Sequence, residues 1–124
     1  MDTKAFTLRI VKFILSKKGY DINILDLRTL TPIADYFIIA SADSNIQVKA
    51  IADEIDGKLR KEGIKCYFKE GYNAANWVLL DYFDVVVHIF KKDSREFYNL
   101  EKLWGDAPSE TIVDELDENN VDAE

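Results

Sequence analysis

The most constraining stretch of the chain is DYFIIA at 35–40, a nearly unbroken apolar run that lacks the polar alternation of a half-exposed strand. Such a strand is buried on both faces, so the sheet that holds it needs cover on two sides. Two further β-prone runs, NWVLLDY at 76–82 and DVVVHIF at 84–90, are separated by Phe83 alone. That is the arrangement of a tight hairpin, expected at the sheet centre. INILDL at 22–27 and the run from Ile64 to Glu70 supply two shorter strands. The sheet is thus expected to have about five strands.

Helical periodicity supplies the cover. Over 3–18, Phe6, Ile10, Phe13 and Ile14, with Leu8, Val11 and Leu15, recur at three- and four-residue spacings, and lysines fill the remaining arc up to Gly19. A second helix is predicted after Ser44, its N-cap, with Gln47 three positions on. Its core stripe is Val48, Ile51, Ala52, Ile55 and Leu59, and Gly63 ends it. Arg95 to Leu103 gives a third, with Phe97, Leu100 and Leu103 repeating. The order α-β-β-α-β-β-β-α, mixing hairpin and crossover connections, predicts an α/β fold: one mixed sheet with helices packed on it. With 124 residues, 48% of them hydrophobic, the chain has material for one core.

The net charge of −7 is unevenly spread. From Asp106 onward there are eight acidic residues and no basic one, which leaves 15 acidic and 16 basic groups in residues 1–105. The reading is therefore a folded body, 1–105, and an acidic, flexible tail, 106–124, which either confers solubility or meets a basic partner. A body without basic surplus makes nucleic acid a poor primary ligand. The one cysteine, Cys66, cannot form an intramolecular disulfide and suits a reducing compartment. No run approaches the roughly 20 apolar residues of a membrane span. The absence of an export signal adds to the expectation of a cytoplasmic protein without membrane contact.

Few residues invite chemistry. His88, the sole histidine, reads as a packed or hydrogen-bonded sheet residue, and no glycine-rich phosphate loop or serine elbow is present. Asp35, Asp81 and Asp84 could together hold a divalent cation, although Asp81 and Asp84 flank a turn, where aspartate is common for its own backbone hydrogen bonds. Large amphipathic side chains gather near the turns and the last helix: Tyr72, Trp77, Tyr82, Phe83, Phe97, Tyr98 and Trp104. They serve either core packing or recognition of a basic protein.

Four segments carry a specific resemblance: DLRTLTPIADYFIIAS (26–41), VKAIADEI (48–55), NWVLLDYFDVVVHIF (76–90) and REFYNLEKLWGDAP (95–108). In this order, over roughly residues 4–108, they closely resemble the ribosomal silencing factor family, RsfS or Iojap. The resemblance implies a small α/β protein, not an enzyme, whose sheet is similar to a nucleotidyltransferase core. It implies binding to the large ribosomal subunit through ribosomal protein L-fourteen, steric prevention of small-subunit joining, and lowered translation when nutrients are short. No cofactor or metal is implied, and ribosomal RNA is touched at most peripherally, near 58–61 and Lys91-Lys92. The lack of a transit leader favours a bacterial member.

The family's partner-binding surface maps onto Trp77, Leu79, Asp81, Tyr82 and Asp84 of the hairpin and onto Tyr98, Leu100 and Trp104 of the last motif. Phe83 departs from the small residue many members have in that turn, and Lys91-Lys92 stands where others vary. A transferase signature is missing, since 41–44 has no glycine and Asp81 and Asp84 lie two residues apart rather than one. Two rival readings are a metal-dependent nucleotidyltransferase-like enzyme using Asp35, Asp81 and Asp84, and a homodimeric assembly protein whose aromatic patch pairs with itself.

Overall fold

The computed structural model describes residues 2–112. Ten elements follow one another: α1 (Thr3–Ser16), β1 (Tyr20–Asp26), β2 (Tyr36–Ala42), α2 (Asn45–Lys61), β3 (Phe68–Glu70), β4 (Trp77–Asp81), β5 (Val85–Lys91), α3 (Lys92–Tyr98), α4 (Leu100–Leu103) and β6 (Ser109–Ile112). The strands form one mixed sheet in the order β3-β4-β5-β2-β1-β6. Only β2 and β5 run parallel; every other neighbouring pair is antiparallel. The apolar runs explain the centre. All seven residues of β2 and the first six of β5 are buried, as strands covered on both faces must be.

Along each strand, side chains alternate between two separate cores. On the first face α1 and α2 lie against the sheet, and Ile10, Ile14, Ile51, Ile55 and Leu59 pack on Ile22, Ile38, Val87 and Ile89. On the second face Leu25, Leu27, Phe37, Ile39, Val86 and Phe90 meet Leu100 and Ala107. Cover there comes from α3, α4 and the segment after them.

The caps hold the helices in place. Ser44 Oγ accepts from Gln47 N at 3.1 Å, and Asp2 caps α1 in the same way through Ala5 N. The predicted capping box is displaced by one residue, because Gln47 Oε1 accepts from Asp43 N at 2.7 Å rather than from Ser44. Gln47 Nε2 in turn donates to the carbonyls of Lys17 and Lys18, which ties the end of α1 to the start of α2.

Several expectations need correction. The sheet has six strands: Ser109–Ile112 lies inside the segment assigned to the tail, yet it pairs with β1 from Leu25↔Ser109 to Ile22↔Ile112. Folded structure thus extends beyond residue 105, and the rest of the predicted tail, 113–124, lies outside the described residues. The hairpin does not fill the sheet centre as a unit: β5 is central, whereas β4 is one strand from the edge. Of the run 64–70 only Phe68–Glu70 pairs. The last predicted helix is two, broken at Asn99, whose φ of 46° is left-handed. Leu8 stays 38% exposed instead of joining the α1 core stripe.

Candidate functional site

Strand β4 sets out the candidate site by simple alternation. Val78 and Leu80 point to the first face and are fully buried; Trp77 and Leu79 point to the second and are only partly covered. Tyr82 follows the even register, so it sits on the first face, 8% exposed, edge-on to Phe6 at 6.0 Å. It is not part of the predicted surface, and burial pushes its phenol pKa up. Leu100 is likewise buried, beneath the second face, and anchors α4.

The remaining aromatic candidates do come together. Trp77 stacks on Phe90 with centroids 4.8 Å apart and touches Tyr98 at 5.0 Å; Tyr98 meets Phe97 edge-on at 5.1 Å. On the other side of Trp77 lies His88 at 5.9 Å, then Phe37 at 4.6 Å from His88, then Trp104 at 5.8 Å from Phe37. The result is one ladder of rings across the second face. Its inner members, Phe37, His88 and Phe90, are buried, while Phe97 is 80% exposed, Tyr98 50%, and neighbouring Leu103 76%. Phe97, one of the amphipathic residues singled out in the sequence, and Leu103 were not among the residues the family resemblance maps to the partner surface. The signal was present in the sequence, because both lie in the same predicted helix as Tyr98.

His88 braces the ladder from below. Trp77 Nε1–H donates to His88 Nδ1 at 3.1 Å, which places the neutral ring's proton on Nε2, a buried atom with no hydrogen-bond partner among the described residues. Burial pushes the imidazole down to about 4, so the ring is neutral at neutral pH. The predicted reading of a packed, hydrogen-bonded sheet histidine matches this geometry.

A polar clamp holds α3 and α4 over the sheet. Arg95 grips Glu101 in a fork, with Nε to Oε1 at 3.2 Å and Nη2 to Oε2 at 2.6 Å. Its Nη1 donates to Ser41 Oγ at 2.8 Å and to the Asp21 carbonyl. Asn23 Nδ2 donates to Glu101 Oε2 at 2.6 Å, and Thr111 Oγ1 donates to Asn23 Oδ1 at 2.7 Å. The clamp therefore joins α3 and α4 to β1, β2 and β6. Burial opposes the Glu101 charge, yet the hydrogen bonds from Arg95 and Asn23 outweigh it and hold the carboxyl below its ordinary range.

The Asp81 carboxylate serves the backbone, and Asp35 and Asp84 are tied to each other through their main chains. Asp81 Oδ1 accepts from Phe83 N at 2.8 Å, and the Asp84 carbonyl accepts from Asp35 N and Tyr36 N. Asp81 is half-buried and Asp84 exposed at the turn. Among the described residues no three His, Cys, Asp or Glu side chains gather as a metal-holding group, so the placement of Asp35, Asp81 and Asp84 gives the nucleotidyltransferase-like reading no support. Gly71 sets where β4 begins: its φ is 80°, and a Cβ there would lie 2.0 Å from the Trp77 carbonyl oxygen. Burial raises the Cys66 thiol pKa, and Cys66 Sγ donates to the Phe68 carbonyl at 3.0 Å. No helix among the described residues is long and apolar enough to cross a membrane.

Comparison with known proteins adds a consistent set of relatives. Residues 1–124 match the model of a family described as "Ribosomal silencing factor during starvation". The ribosomal silencing factor RsfS of Bacillus subtilis is 51% identical over 92 residues, covering 74% of this chain and 78% of that one. The chloroplastic protein Iojap of Zea mays is 41% identical over 106 residues, 83% of this chain and 45% of that protein. A crystal structure from Chromobacterium violaceum superposes with a TM-score of 0.81 at 37% identity, covering 85% of this chain and 88% of that one.

Proposed function

Because the chain belongs to the ribosomal silencing factor family, we propose that it docks on the large ribosomal subunit through the second face of its sheet, with ribosomal protein L-fourteen as the contact. The observation that carries this reading is the ring ladder, whose outer members Tyr98 and Phe97 stand open beside a partly covered Trp77 while its inner members are fixed in the core. Rigid aromatic anchors on a preformed base lose little entropy on binding. Asp81, Asp84 and Glu96 lie half-buried or exposed on the hairpin and α3, so the rim matches a cationic protein. Trp77, Leu79, Asp81, Asp84, Tyr98 and Trp104 are the contact candidates, joined by Phe97 and Leu103. Tyr82 and Leu100 support them from inside.

The mechanism is occlusion. A docked body of 14.3 kDa need only cover the surface that the small subunit would use, and about 800 Å² per partner suffices for a specific complex. No bond is made or broken in this mechanism, so the protein acts as a regulator of translation under nutrient limitation rather than as an enzyme.

Sucrose-gradient sedimentation of separated subunits with purified protein tests the reading. The expected result is fewer joined ribosomes and comigration of the protein with the large subunit. Tyr98→Ala and Phe97→Ala should each lower comigration at least about tenfold with circular dichroism unchanged, as for truncated interface anchors. Full comigration of both variants would overturn this face as the contact, and a self-pairing patch would show instead as concentration-dependent sedimentation of the protein alone.

A further inference from the structure

The first face carries a feature the proposed ribosome contact does not use. Within 3–18 the chain has Lys4, Arg9, Lys12, Lys17 and Lys18 and no acidic residue. Lys4 is paired with Glu110 of β6 at 2.7 Å and Arg9 with Glu62. Lys12, Lys17 and Lys18 are exposed and make no ion pair among the described residues. The Lys4–Glu110 pair also shows which flank of α1 faces β6. On a helical wheel that flank continues through Leu8 and Leu15, with Lys12 on its solvent side, and Lys18 follows the helix end in a left-handed turn at φ 69°. Leu8 is exposed and Leu15 half-buried, so apolar and cationic groups alternate along it.

Chain direction brings an oppositely charged segment to this flank. β6 runs antiparallel to β1 and reaches Ile112 opposite Ile22, three residues after Gly19 closes the α1 turn. At Ile112 the strand points towards the Lys17-Lys18 end of the helix. The twelve residues after Ile112 hold Asp114, Glu115, Asp117, Glu118, Asp122 and Glu124, no base, and the apolar Val113, Leu116, Val121 and Ala123. Extended at about 3.3 Å per residue they span up to ~40 Å, while the 14 residues of α1 are about 21 Å long, so reach is not limiting.

We propose that the acidic segment 113–124 docks on the outer flank of α1, its carboxylates against Lys12 and Lys18 and its leucine on Leu8 and Leu15, and thereby screens that flank from polyanions. The inference is independent of the contact proposed for the second face. It gives the segment a local partner: without it, three lysines on and just after α1, unpaired among the described residues, would bind RNA phosphate without selectivity.

The test uses the full chain and a variant with Asp114→Asn, Glu115→Gln, Asp117→Asn and Glu118→Gln. Neutralising the segment should shift the backbone amide resonances of residues 8–18, as 1 M salt should in the unaltered chain. It should also raise affinity for polyuridylate RNA in low salt roughly tenfold, the counterion effect of freeing one or two lysines. Adding Lys12→Ala and Lys18→Ala should remove that gain. Unmoved resonances in 8–18 would overturn the proposal, and so would a gain in RNA affinity that survives loss of both lysines, which would reflect net charge alone. Zero-length carbodiimide coupling of a mixture of isotopically light and heavy protein gives a further check. Lys12 or Lys18 joined to a 114–118 carboxylate within one chain supports the docking; joined only between chains, it places the segment on a second copy and overturns it.

Discussion

The two faces of one sheet are built on different terms. On the first, helices of 14 and 17 residues bring continuous apolar stripes down on the strands, and Ile10, Ile14, Ile51, Ile55 and Leu59 are completely buried. On the second, helices of seven and four residues are held by a polar clamp, and the aromatic rings beneath them grade from buried to 80% exposed. The contrast teaches that cover and exposure here are decided by which side of the strand a residue falls on. Strand β4 makes the point: its even residues are core, and its odd residues are only partly covered.

The largest effect expected from breaking this asymmetry is on the covered face. Ile51→Ala should lower the free energy of unfolding by about 2–5 kcal/mol, the range for a truncated aliphatic side chain that leaves a cavity in a packed core. Tyr98→Ala should cost under about 1 kcal/mol, since half of that ring already meets solvent. Denaturant titration of both variants checks the pair. Equal losses would erase the distinction between the faces.

The second face has a weakness the first lacks, its buried histidine. The unfolded chain takes up a proton on His88 near the ordinary value of 6.5, but the folded chain resists until about 4. Above 6.5 the stability is whole; between 6.5 and 4 the unfolded state binds more protons, and stability falls with pH; below 4 this contribution is exhausted. The full difference corresponds to at most about 3 kcal/mol. Because this is the sole histidine, the slope between pH 6.5 and 5 belongs to it before the carboxylates titrate. Denaturation midpoints across that window should decline for the unaltered chain and stay flat for His88→Gln. A flat profile in both would show the ring to be solvated.

The clamp comes next in size. Arg95→Ala leaves the Glu101 carboxylate and Ser41 without their donor in a partly buried setting, and about 1–3 kcal/mol should be lost. The more telling readout is local. Amide exchange in 92–103 should quicken far more than in α2, because α3 and α4 bury little apolar surface of their own. Uniform quickening across both faces would mean that the clamp supports the whole fold.

Much of this division was legible in the sequence, and the rest was hidden for definite reasons. The apolar run of β2, the β-branched run of β5 and the stripes of α1 and α2 announced themselves because burial on two faces or along one helix face imposes a strict pattern. Strand β6 did not, since Ser109, Glu110 and Thr111 are exposed edge residues and only Ile112 reaches the core. The break at Asn99 depends on a left-handed residue that asparagine tolerates but does not dictate. Tyr82 was misjudged although its register was plain: counting by twos from Val78 and Leu80 puts it with the core. Family resemblance named the motif, and alternation sorted its members.

The smallest effect concerns the turn that joins β4 to β5, where Phe83 stands at a φ of 69°. An L side chain in that left-handed region costs roughly 1–2 kcal/mol, a cost glycine avoids. Against it stands the ring contact of Phe83 with Tyr67, centroids 4.2 Å apart; with Phe83 62% and Tyr67 65% exposed, it should lie at the low end of about 0.5–1.5 kcal/mol. Phe83→Gly should therefore leave the protein equally stable or about 0.5–1 kcal/mol more stable, whereas Phe83→Ala, which loses the ring and keeps the strain, should be less stable. The gap between the two variants, about 1 kcal/mol in denaturant titration, isolates the backbone cost from the ring contact. Since Asp81 Oδ1 caps this turn through Phe83 N at 2.8 Å, neither variant removes the hydrogen bond that aims Asp84. Large-subunit comigration should therefore persist in both, and its loss in the glycine variant alone would show that the strained turn, rather than the ring ladder, presents the acidic rim to the partner.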